Sequence, residues 1–510
     1  MTGAPSRLAR RGCGVLLHPT SLPSRFGIGD LGKPAYQFAD FLAASGHSFW
    51  QILPLGPPGY GNSPYQCLSS MAGNPLLISL EALVEEGWLS GADLKGAPLF
   101  PENFVDFESV IPFKQRVLRK AAETFAGKTS GTSRAEFEKF CSAREAWLDS
   151  FAQFMALKDA NGGVSWTQWK RRSDADPRDV HVHKFIQFKF FQQWSALKQY
   201  CHARSIEIIG DVPIFVAHDS VDVWANPDLF DLDGDGNPQT VAGVPPDYFS
   251  ATGQLWGNPL YRWEAMAKDE YSWWIDRVRA SFEMADIVRL DHFRGFEKYY
   301  AIPGGATTAI HGKWMQGPGA DLFHALIKAL GTLNIIAEDL GLITPEVEEL
   351  RERFGFPGMR ILQFAFGNDS QADKFKPYNY VSNCVAYTGT HDNDTAVGWF
   401  SSEGKGDSTR TQQQVRAERQ FAMEYLNSDG REINWDFIRT VLASVANTAI
   451  IPMQDILGLG SEARMNLPAS IGNNWTWRFQ EGQLKTEMGE RLRKMTKIYG
   501  RWPEKGEKEG

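Results

Sequence analysis

Three acidic residues stand where catalytic groups are expected, at or just beyond the ends of apolar runs in the sequence. Asp291 ends the run VRLD, Glu338 follows IIA, and Asp392 lies in THDND. Burying a carboxylate costs free energy unless its charge is paired or used, so an apolar strand rarely ends in one without cause. A single acid of this kind is most often a solvated loop residue. Three of them at the ends of such runs, two of them beside a histidine, indicate a catalytic set.

Neighbouring residues indicate how two of these carboxylates are tuned. Arg289 lies two residues before Asp291, so both side chains point to the same face of a strand, and the guanidinium would lower the pKa of the Asp291 carboxyl. A structural ion pair is equally compatible with this spacing. Glu338 follows Ile335, Ile336 and Ala337, whose apolar surroundings would raise its carboxyl pKa and suit a general acid. Its neighbour Asp339 points the other way along the strand and is assigned a structural role.

The elements that must position these acids are short apolar runs that end in polar residues, which is typical of buried parallel strands. Eight such runs alternate with helical patterns, which favours a (β/α)8 TIM barrel over an open doubly wound sheet. Catalytic groups of such barrels lie at the carboxyl ends of the strands. The runs are GVLLHPTSL from Gly14, SFWQILPL from Ser48, IEIIGDVPI from Ile206, ADIVRLDH from Ala285, NIIAEDLG from Asn334, RILQFAFG from Arg360, CVAYTGTHDND from Cys384 and TAIIPMQDILG from Thr448.

Uneven spacing of the runs predicts two insertions on the catalytic face of one barrel that spans residues 1–510. Residues 73–204 read mainly as helices, so we expect a helical subdomain in one βα loop. Residues 215–274 are rich in Pro, Gly, Asp and aromatic residues and predict a second inserted subdomain over the active site. The charged segment 504–510 is expected to be disordered.

Composition limits the partners that this chain can have. A net charge of −8 and a pI near 5.8 argue against nucleic acid, whose phosphates require a concentrated excess of Lys and Arg. No run of 18 or more apolar residues is present, so no membrane span is predicted and a cytoplasmic location is the default expectation. The 17 Trp, 14 Tyr and 33 Phe slightly favour a sugar ligand, because pyranose rings stack on aromatic faces.

Neither a disulfide framework nor a metal site is predicted. The five cysteines are odd in number, scattered and never spaced as CxxC. Asp231, Asp233, Asp235 and Gly236 match the first half of a calcium-binding EF-hand loop, but Ala242 stands where the closing bidentate Glu is required. We therefore interpret this segment as a solvated Asp/Gly turn and expect no metal and no cofactor.

Several long blocks of this sequence resemble those of the amylomaltases, also called disproportionating enzymes, a 4-alpha-glucanotransferase family. The resemblance extends from near the start to near the end of the chain, which makes a chance match implausible. The blocks are GVLLHPTSLPS, PLGPPGYGNSPYQ, GDVPIFV, GVPPDYFSATGQLWGNPLY, VRLDHFRGFE, IAEDLG, GTHDNDT and DILGLGSEARMN. The resemblance implies transfer of α-1,4-glucan segments, with maltooligosaccharides and longer α-1,4-glucans as substrates.

The resemblance also implies roles for the acids. In the family the Asp of RLDHFRG is the nucleophile, here Asp291, and the Glu of AEDLG is the acid/base, here Glu338. Asp392 corresponds to the carboxylate that stabilises the transition state. Cleavage of an acetal through an oxocarbenium-like state needs such a set, because one carboxylate attacks the anomeric carbon while a carboxylic acid protonates the departing oxygen.

A further group of residues is expected to contact the glucan. The resemblance implies contacts from the SPYQ block, from a loop block that covers the glucan, and from the SEARMN block, although PPDYF is equally consistent with a rigid turn. Asp211 follows a strand and either binds sugar hydroxyls or caps a loop. His391 is favoured as a sugar ligand, and His18 and His292 are left open. The expected contacts are Ser63, Tyr65, Asp211, Asp247, Tyr248, Phe249, Gln254, Trp256, Asn258, Arg289, His391 and Asn466.

Two alternative functions remain at this stage. A hydrolase of the alpha-amylase type would use the same three carboxylates and differ only in its acceptor. The SPYQ and PPDYF blocks, which resemble the transferases, favour transfer. A non-catalytic glucan-binding protein is disfavoured, since it would tolerate loss of the acid/base and Glu338 is present. The sequence leaves the oligomeric state open.

Overall fold

The computed structural model of this chain describes residues 7–128, 131–170, 175–246, 252–368, 371–404, 411–468, 470 and 472–503. Within these residues the strands are β1 Gly12–Leu16, β2 Phe49–Gln51, β3 Glu207–Pro213, β4 Thr240–Val244, β5 Gln254–Pro259, β6 Ile287–Asp291, β7 Lys298–Pro303, β8 Lys313–Gln316, β9 Ile335–Ala337, β10 Gly358–Ile361, β11 Cys384–Tyr387 and β12 Thr448–Pro452.

Eight of these strands form a parallel barrel, which confirms the predicted fold class. Their spatial order is β10-β11-β12-β1-β2-β3-β6-β9, and each of the eight coincides with one predicted run. The barrel closes between β9 and β10, where the Ala337 N–H donates to the Pro357 carbonyl at 2.9 Å. The Asp339 carboxylate completes this seam by accepting the Met359 N–H at 2.7 Å. It is buried in the structural role that was predicted for it.

Close packing of neighbouring barrel strands depends on small side chains. Gly14 on β1 pairs with Phe49 of β2 and with Ile450 of β12. A Cβ atom at Gly14 would lie 2.4 Å from the Phe49 carbonyl oxygen and 2.9 Å from Cδ1 of Ile450. No side chain fits there, so this glycine is what allows the three strands to approach.

Helices connect and cover the barrel strands. In chain order they are α1 Lys33–Ser45, α2 Leu80–Glu85, α3 Phe107–Ala126, α4 Thr132–Ala143, α5 Glu145–Ala160, α6 Pro177–His202, α7 Val221–Ala225, α8 Trp263–Lys268, α9 Ser272–Met284, α10 Gly319–Leu330, α11 Pro345–Arg353, α12 Ala396–Ser401, α13 Gln412–Leu426, α14 Ile433–Ala443, α15 Met453–Leu457 and α16 Thr486–Ile498. The connection between β2 and β3 contains α2 to α6 and none of the described strands.

The apolar residues of helix α6 indicate how it packs. Phe185, Trp194 and Leu197 each have at most 1% of their surface exposed. At about 100° per residue Phe185 and Trp194 point in opposite directions, so these residues do not form one stripe. Helix α6 is instead buried on more than one side, against α3, α4 and α5 and against α1. None of the described helices combines the length and apolar composition that crossing a bilayer requires.

A second, antiparallel sheet lies outside the barrel and was not predicted. Its strand order is β5-β4-β7-β8. Strands β4 and β5 come from the connection between β3 and β6, whereas β7 and β8 form a hairpin that follows β6. The loops that follow β3 and β6 therefore both contribute strands to this one sheet.

A buried arginine beyond α16 joins the first and last strands of the barrel, β1 and β12. Arg501 is fully buried, and its guanidinium donates to the carbonyls of Gly12 at 2.6 Å, Leu442 at 2.7 Å and Ala446 at 2.9 Å. Since β1 and β12 pair along their whole length, this residue holds the first and last barrel strands from outside.

Candidate active site

Asp291 ends β6 and lies above a buried ion-pair chain. Arg289, two residues earlier, places Nη2 at 2.9 Å from Oδ1 of Asp291. Its Nη1 donates to both carboxylate oxygens of Asp211 on β3, at 2.9 and 2.7 Å. The Asp211 side chain has no exposed surface, whereas that of Asp291 is 28% exposed. Asp211 therefore positions Arg289 with a carboxylate that solvent does not reach, and its contact with sugar hydroxyls stays a prediction.

A cluster of aromatic rings borders this ion-pair chain. The Tyr65 hydroxyl donates to Oδ2 of Asp211 at 2.8 Å. Its ring stacks on His391 with a centroid distance of 5.1 Å and lies 5.7 Å from the Trp475 ring. His18, which the sequence left open, lines a cavity beside Trp475, and burial lowers the pKa of its imidazole to about 3. These rings give the site a rigid wall of the kind on which sugar rings stack.

Glu338 follows β9 and is held by main-chain donors from two loops. Its Oε2 accepts the His292 N–H at 2.7 Å, and its Oε1 accepts the Leu340 N–H at 2.9 Å. His292 reaches this position because its backbone is left-handed, with φ at 53°, a conformation that costs free energy in a residue other than glycine. The strained backbone of His292, directly after Asp291, thus allows its N–H to donate a hydrogen bond to Glu338.

Burial raises the pKa of both carboxyl groups. For Asp291, burial raises the pKa to about 8; Arg289 opposes this shift, and the charges of Glu338, Asp211 and Asp392 add to it. For Glu338, burial raises the pKa against Arg289 and the two N–H donors. The prediction that Arg289 contacts Asp291 is confirmed, and its charge acts to lower the Asp291 pKa as predicted, but burial outweighs this effect and the net shift is upward.

Asp392 is held at the side of the cluster that is formed by the loop after β11. Its Oδ1 accepts a hydrogen bond from Nδ2 of Asn466 at 2.6 Å and lies 3.4 Å from Nε2 of His391. The Arg464 guanidinium donates to its carbonyl at 2.6 Å. Its side chain is 44% exposed, so the carboxylate is accessible to a ligand. The structure therefore brings the three predicted acids into one cluster with His391 and Asn466.

The remaining predicted contacts occupy different places. Trp256 on β5 meets the His292 ring edge-on at 4.8 Å, and its Nε1–H donates to Oε1 of Gln254 at 3.1 Å. Ser63 Oγ accepts the Tyr65 N–H at 3.2 Å. Asn258 is buried and donates to the Val216 carbonyl at 2.9 Å, so it supports the loop and does not present its amide to a ligand. The predicted contacts Asp247, Tyr248 and Phe249, like the predicted tail 504–510, lie outside the described residues.

Some residues of the site were not singled out from the sequence. Trp475 joins the aromatic wall although it lies in the unremarkable segment NNWTWRF, far along the chain from Tyr65. Arg294 lies in the turn after Asp291 and contacts the loop after Glu338. The RLDHFRG block contained the only sequence signal for Arg294, and we identify none for Trp475.

The half EF-hand has the geometry of a turn. Oδ1 of Asp233 accepts the N–H groups of Asp235 and Asn237 at 2.9 and 2.8 Å. This carboxylate thus closes its own loop, as Asx turns do. Among the residues whose structure is described, no group of three or more His, Cys, Asp or Glu side chains is arranged to hold a metal ion.

Comparison with known proteins agrees with this geometry. The family profile described as 4-alpha-glucanotransferase matches residues 17–485. A 4-alpha-glucanotransferase of Synechocystis sp. is 50% identical over 97% of this chain and 99% of its own, and that of Thermus thermophilus is 46% identical over 95% and 98%. The solved amylomaltase of Streptococcus agalactiae, in complex with acarbose, superimposes with a TM-score of 0.90 at 38% identity, covering 97% of this chain and 100% of that one. The chain therefore belongs to the 4-alpha-glucanotransferase (amylomaltase) family.

Proposed function

We propose that Asp291 is the nucleophile, Glu338 the general acid/base and Asp392 the transition-state stabiliser of this glucanotransferase, acting on maltooligosaccharides and longer α-1,4-glucans. The observation that carries the proposal is the convergence of these acids at the carboxyl ends of β6, β9 and β11 around Arg289. Catalytic groups of (β/α)8 enzymes come from this face. A location in the cytoplasm remains a prediction.

The first half of the reaction transfers the donor glycosyl group to the enzyme. Oδ of Asp291 attacks C1 of the sugar as the C1–O4 bond breaks, and the proton of Glu338 moves to the departing O4. In the second half, the 4-OH of an acceptor attacks C1, its proton returns to Glu338, and the Asp291 ester is broken. Two displacements at C1 retain the α configuration.

This sequence of steps requires one proton shared between two carboxyl groups. The raised pKa values of Asp291 and Glu338 favour retention of a proton by the pair. Arg289, at 2.9 Å from Asp291, favours the charge on the nucleophile within that pair. The proton that remains on Glu338 is the one delivered to O4.

Asp392 and the aromatic wall act on the sugar ring itself. Asn466 and His391 orient the half-exposed carboxylate of Asp392, which then accepts hydrogen bonds from ring hydroxyls more strongly as the ring flattens. Tyr65 and Trp256 offer ring surfaces on two sides. By resemblance to the family, we assign Asp247, Tyr248 and Phe249 to contacts over the glucan.

Transfer requires that an acceptor sugar compete with water. Water is present at about 55 M, and an oriented acceptor reaches an effective molarity of about 10⁵ M or more. Maltotriose alone should therefore yield glucose and a ladder of longer α-1,4-glucans while the number of reducing ends stays nearly constant. Chromatography of the products together with a reducing-end assay measures both. A steady rise in reducing ends, with no product longer than maltotriose, would indicate that this enzyme is a hydrolase.

A further inference from the structure

A buried arginine links the loop that carries Asp291 to the loop that carries Glu338. Arg294 is three residues after Asp291, and its Nη1 donates to the carbonyl of Leu342, four residues after Glu338. Only 7% of Arg294 is exposed. The main chains of the same two loops are also joined, because the Phe293 N–H donates to the Glu338 carbonyl at 3.1 Å. The link therefore spans the same two loops that position the catalytic pair.

The other face of the guanidinium is covered by the outer sheet. Cζ of Arg294 lies 4.0 Å from the centroid of the Trp314 ring on β8. The end of β8 is fixed to the same turn, because the Glu297 carbonyl accepts the Gly317 N–H at 2.7 Å and Nε2 of Gln316 at 2.8 Å. One main-chain and one side-chain hydrogen bond to the Glu297 carbonyl thus hold Trp314 over Arg294, and the cation is enclosed between a carbonyl and a ring.

Burying the Arg294 guanidinium in this way costs free energy, so stability alone does not account for it. The hydrogen-bond acceptor of Arg294 is a neutral carbonyl, and its Nε is buried without an acceptor among the described residues. Burial lowers the pKa of Arg294, and the charge of Glu297 only partly offsets that shift. A buried charge with incomplete pairing is often replaced by an apolar side chain at no loss of stability. A purely structural role would be served as well by methionine.

We propose that Arg294 is a positioning residue that fixes Glu338 relative to Asp291, with Trp314 as its cover. This inference rests on the proposed roles of Asp291 and Glu338. A planar guanidinium can donate in its plane to Leu342 while its face stacks on Trp314, which lysine cannot reproduce. Without the link, the loop after Glu338 shifts, and the acid no longer meets the departing oxygen.

The leaving group of the donor separates this role from a structural one. Maltotriose and α-maltosyl fluoride deliver the same maltosyl group, but fluoride departs without a proton from Glu338. We expect Arg294→Met to lower kcat/KM for maltotriose about 10- to 100-fold and that for the fluoride less than about threefold, since positioned acids and ångström-scale misplacement carry factors of this size. Arg294→Lys should recover part of the loss, and Trp314→Ala should show a weaker form of the same selectivity.

Two further variants complete the experiment. Arg478 is also buried and donates to carbonyls only, those of Leu22, Ser24 and Pro101, so Arg478→Met controls for the loss of a buried arginine. It should leave the ratio of the two kcat/KM values unchanged. Glu338→Gln should show the largest selective loss with maltotriose.

The outcomes distinguish this proposal from the function on which it rests. No loss with either donor in Arg294→Met, or equal loss with both donors in Arg294→Met and Trp314→Ala, would overturn the positioning role while Glu338→Gln keeps its selectivity. Equal loss with both donors in Glu338→Gln would overturn the assignment of the acid itself. A selective loss in Arg294→Met at an unchanged Tm supports the link.

Discussion

Replacing Asp211 by asparagine removes the buried charge that anchors Arg289 beneath the nucleophile. The carboxylate accepts two hydrogen bonds from Arg289 and one from Tyr65, so the amide loses at least one acceptor. Breaking a buried pair costs about 3–5 kcal/mol, and the lower end applies here because Arg289 keeps Asp291 as a partner. With an unfolding entropy of about 2.1 cal/mol/K per residue, or about 1.1 kcal/mol/K for 510 residues, about 3 kcal/mol lowers Tm by about 3 °C.

The same change shifts the pH dependence of the reaction. The negative charge of Asp211 raises the pKa of Asp291, and without it the charge of Arg289 acts on Asp291 and Glu338 with no buried carboxylate to oppose it from β3. Both effects lower the pKa of the carboxyl pair, so the bell-shaped profile of kcat/KM should move to lower pH. Rates of glucose release from maltotriose across the pH range give the profile.

A matched buried carboxylate elsewhere serves as the control. Asp222 is 4% exposed and accepts the N–H and hydroxyl of Ser70 at 2.8 and 2.6 Å, and it is not among the principal charges that shift Asp291. Asp222→Asn should lower Tm and leave the pH profile in place. An Asp211→Asn enzyme with an unshifted profile would refute the reasoning that Asp211 acts on the nucleophile through charge.

Two further outcomes are expected. Asp291→Asn should lose activity by several orders of magnitude while retaining its fold, because the amide cannot form the glycosyl ester; circular dichroism checks the fold, and substantial residual activity would remove Asp291 from its role. Activity should survive EDTA, because the Asp233 carboxylate is engaged by its own turn and Ala242 stands where a closing ligand is needed; loss on chelation that calcium restores would contradict this.

The barrel was predictable because each of its strands combines two local signals. In the run NIIAEDLG, for example, three apolar residues directly precede a carboxylate, and this pattern requires no knowledge of distant residues. Strand β8 carries no such signal, since all four residues of KWMQ are exposed and it is a strand only because it pairs with β7. The outer sheet was missed for that reason.

The sequence predicts which acids form the site, but it does not predict how burial and neighbouring charges shift their pKa values. The spacing of Arg289 and Asp291 gives their contact, since residues two apart on a strand share a face. The burial of Asp211 depends on Tyr65, which is 146 residues away, and no local pattern reveals it. Likewise the sign of the Asp291 pKa shift depends on how deeply the assembled loops bury it.

Because Arg501 joins the first and last barrel strands, the barrel cannot be completed until nearly the whole chain has been translated. Gly12 and Arg501 are 489 residues apart, so at about 5–20 residues per second a ribosome needs about 25–100 s between them. Until β12 has been translated, β1 has no partner on that side and presents an open strand edge, which can pair with another nascent chain. Pairing of β1 with β12 thus competes with aggregation on the ribosome for most of that interval, and conditions that slow translation lengthen it.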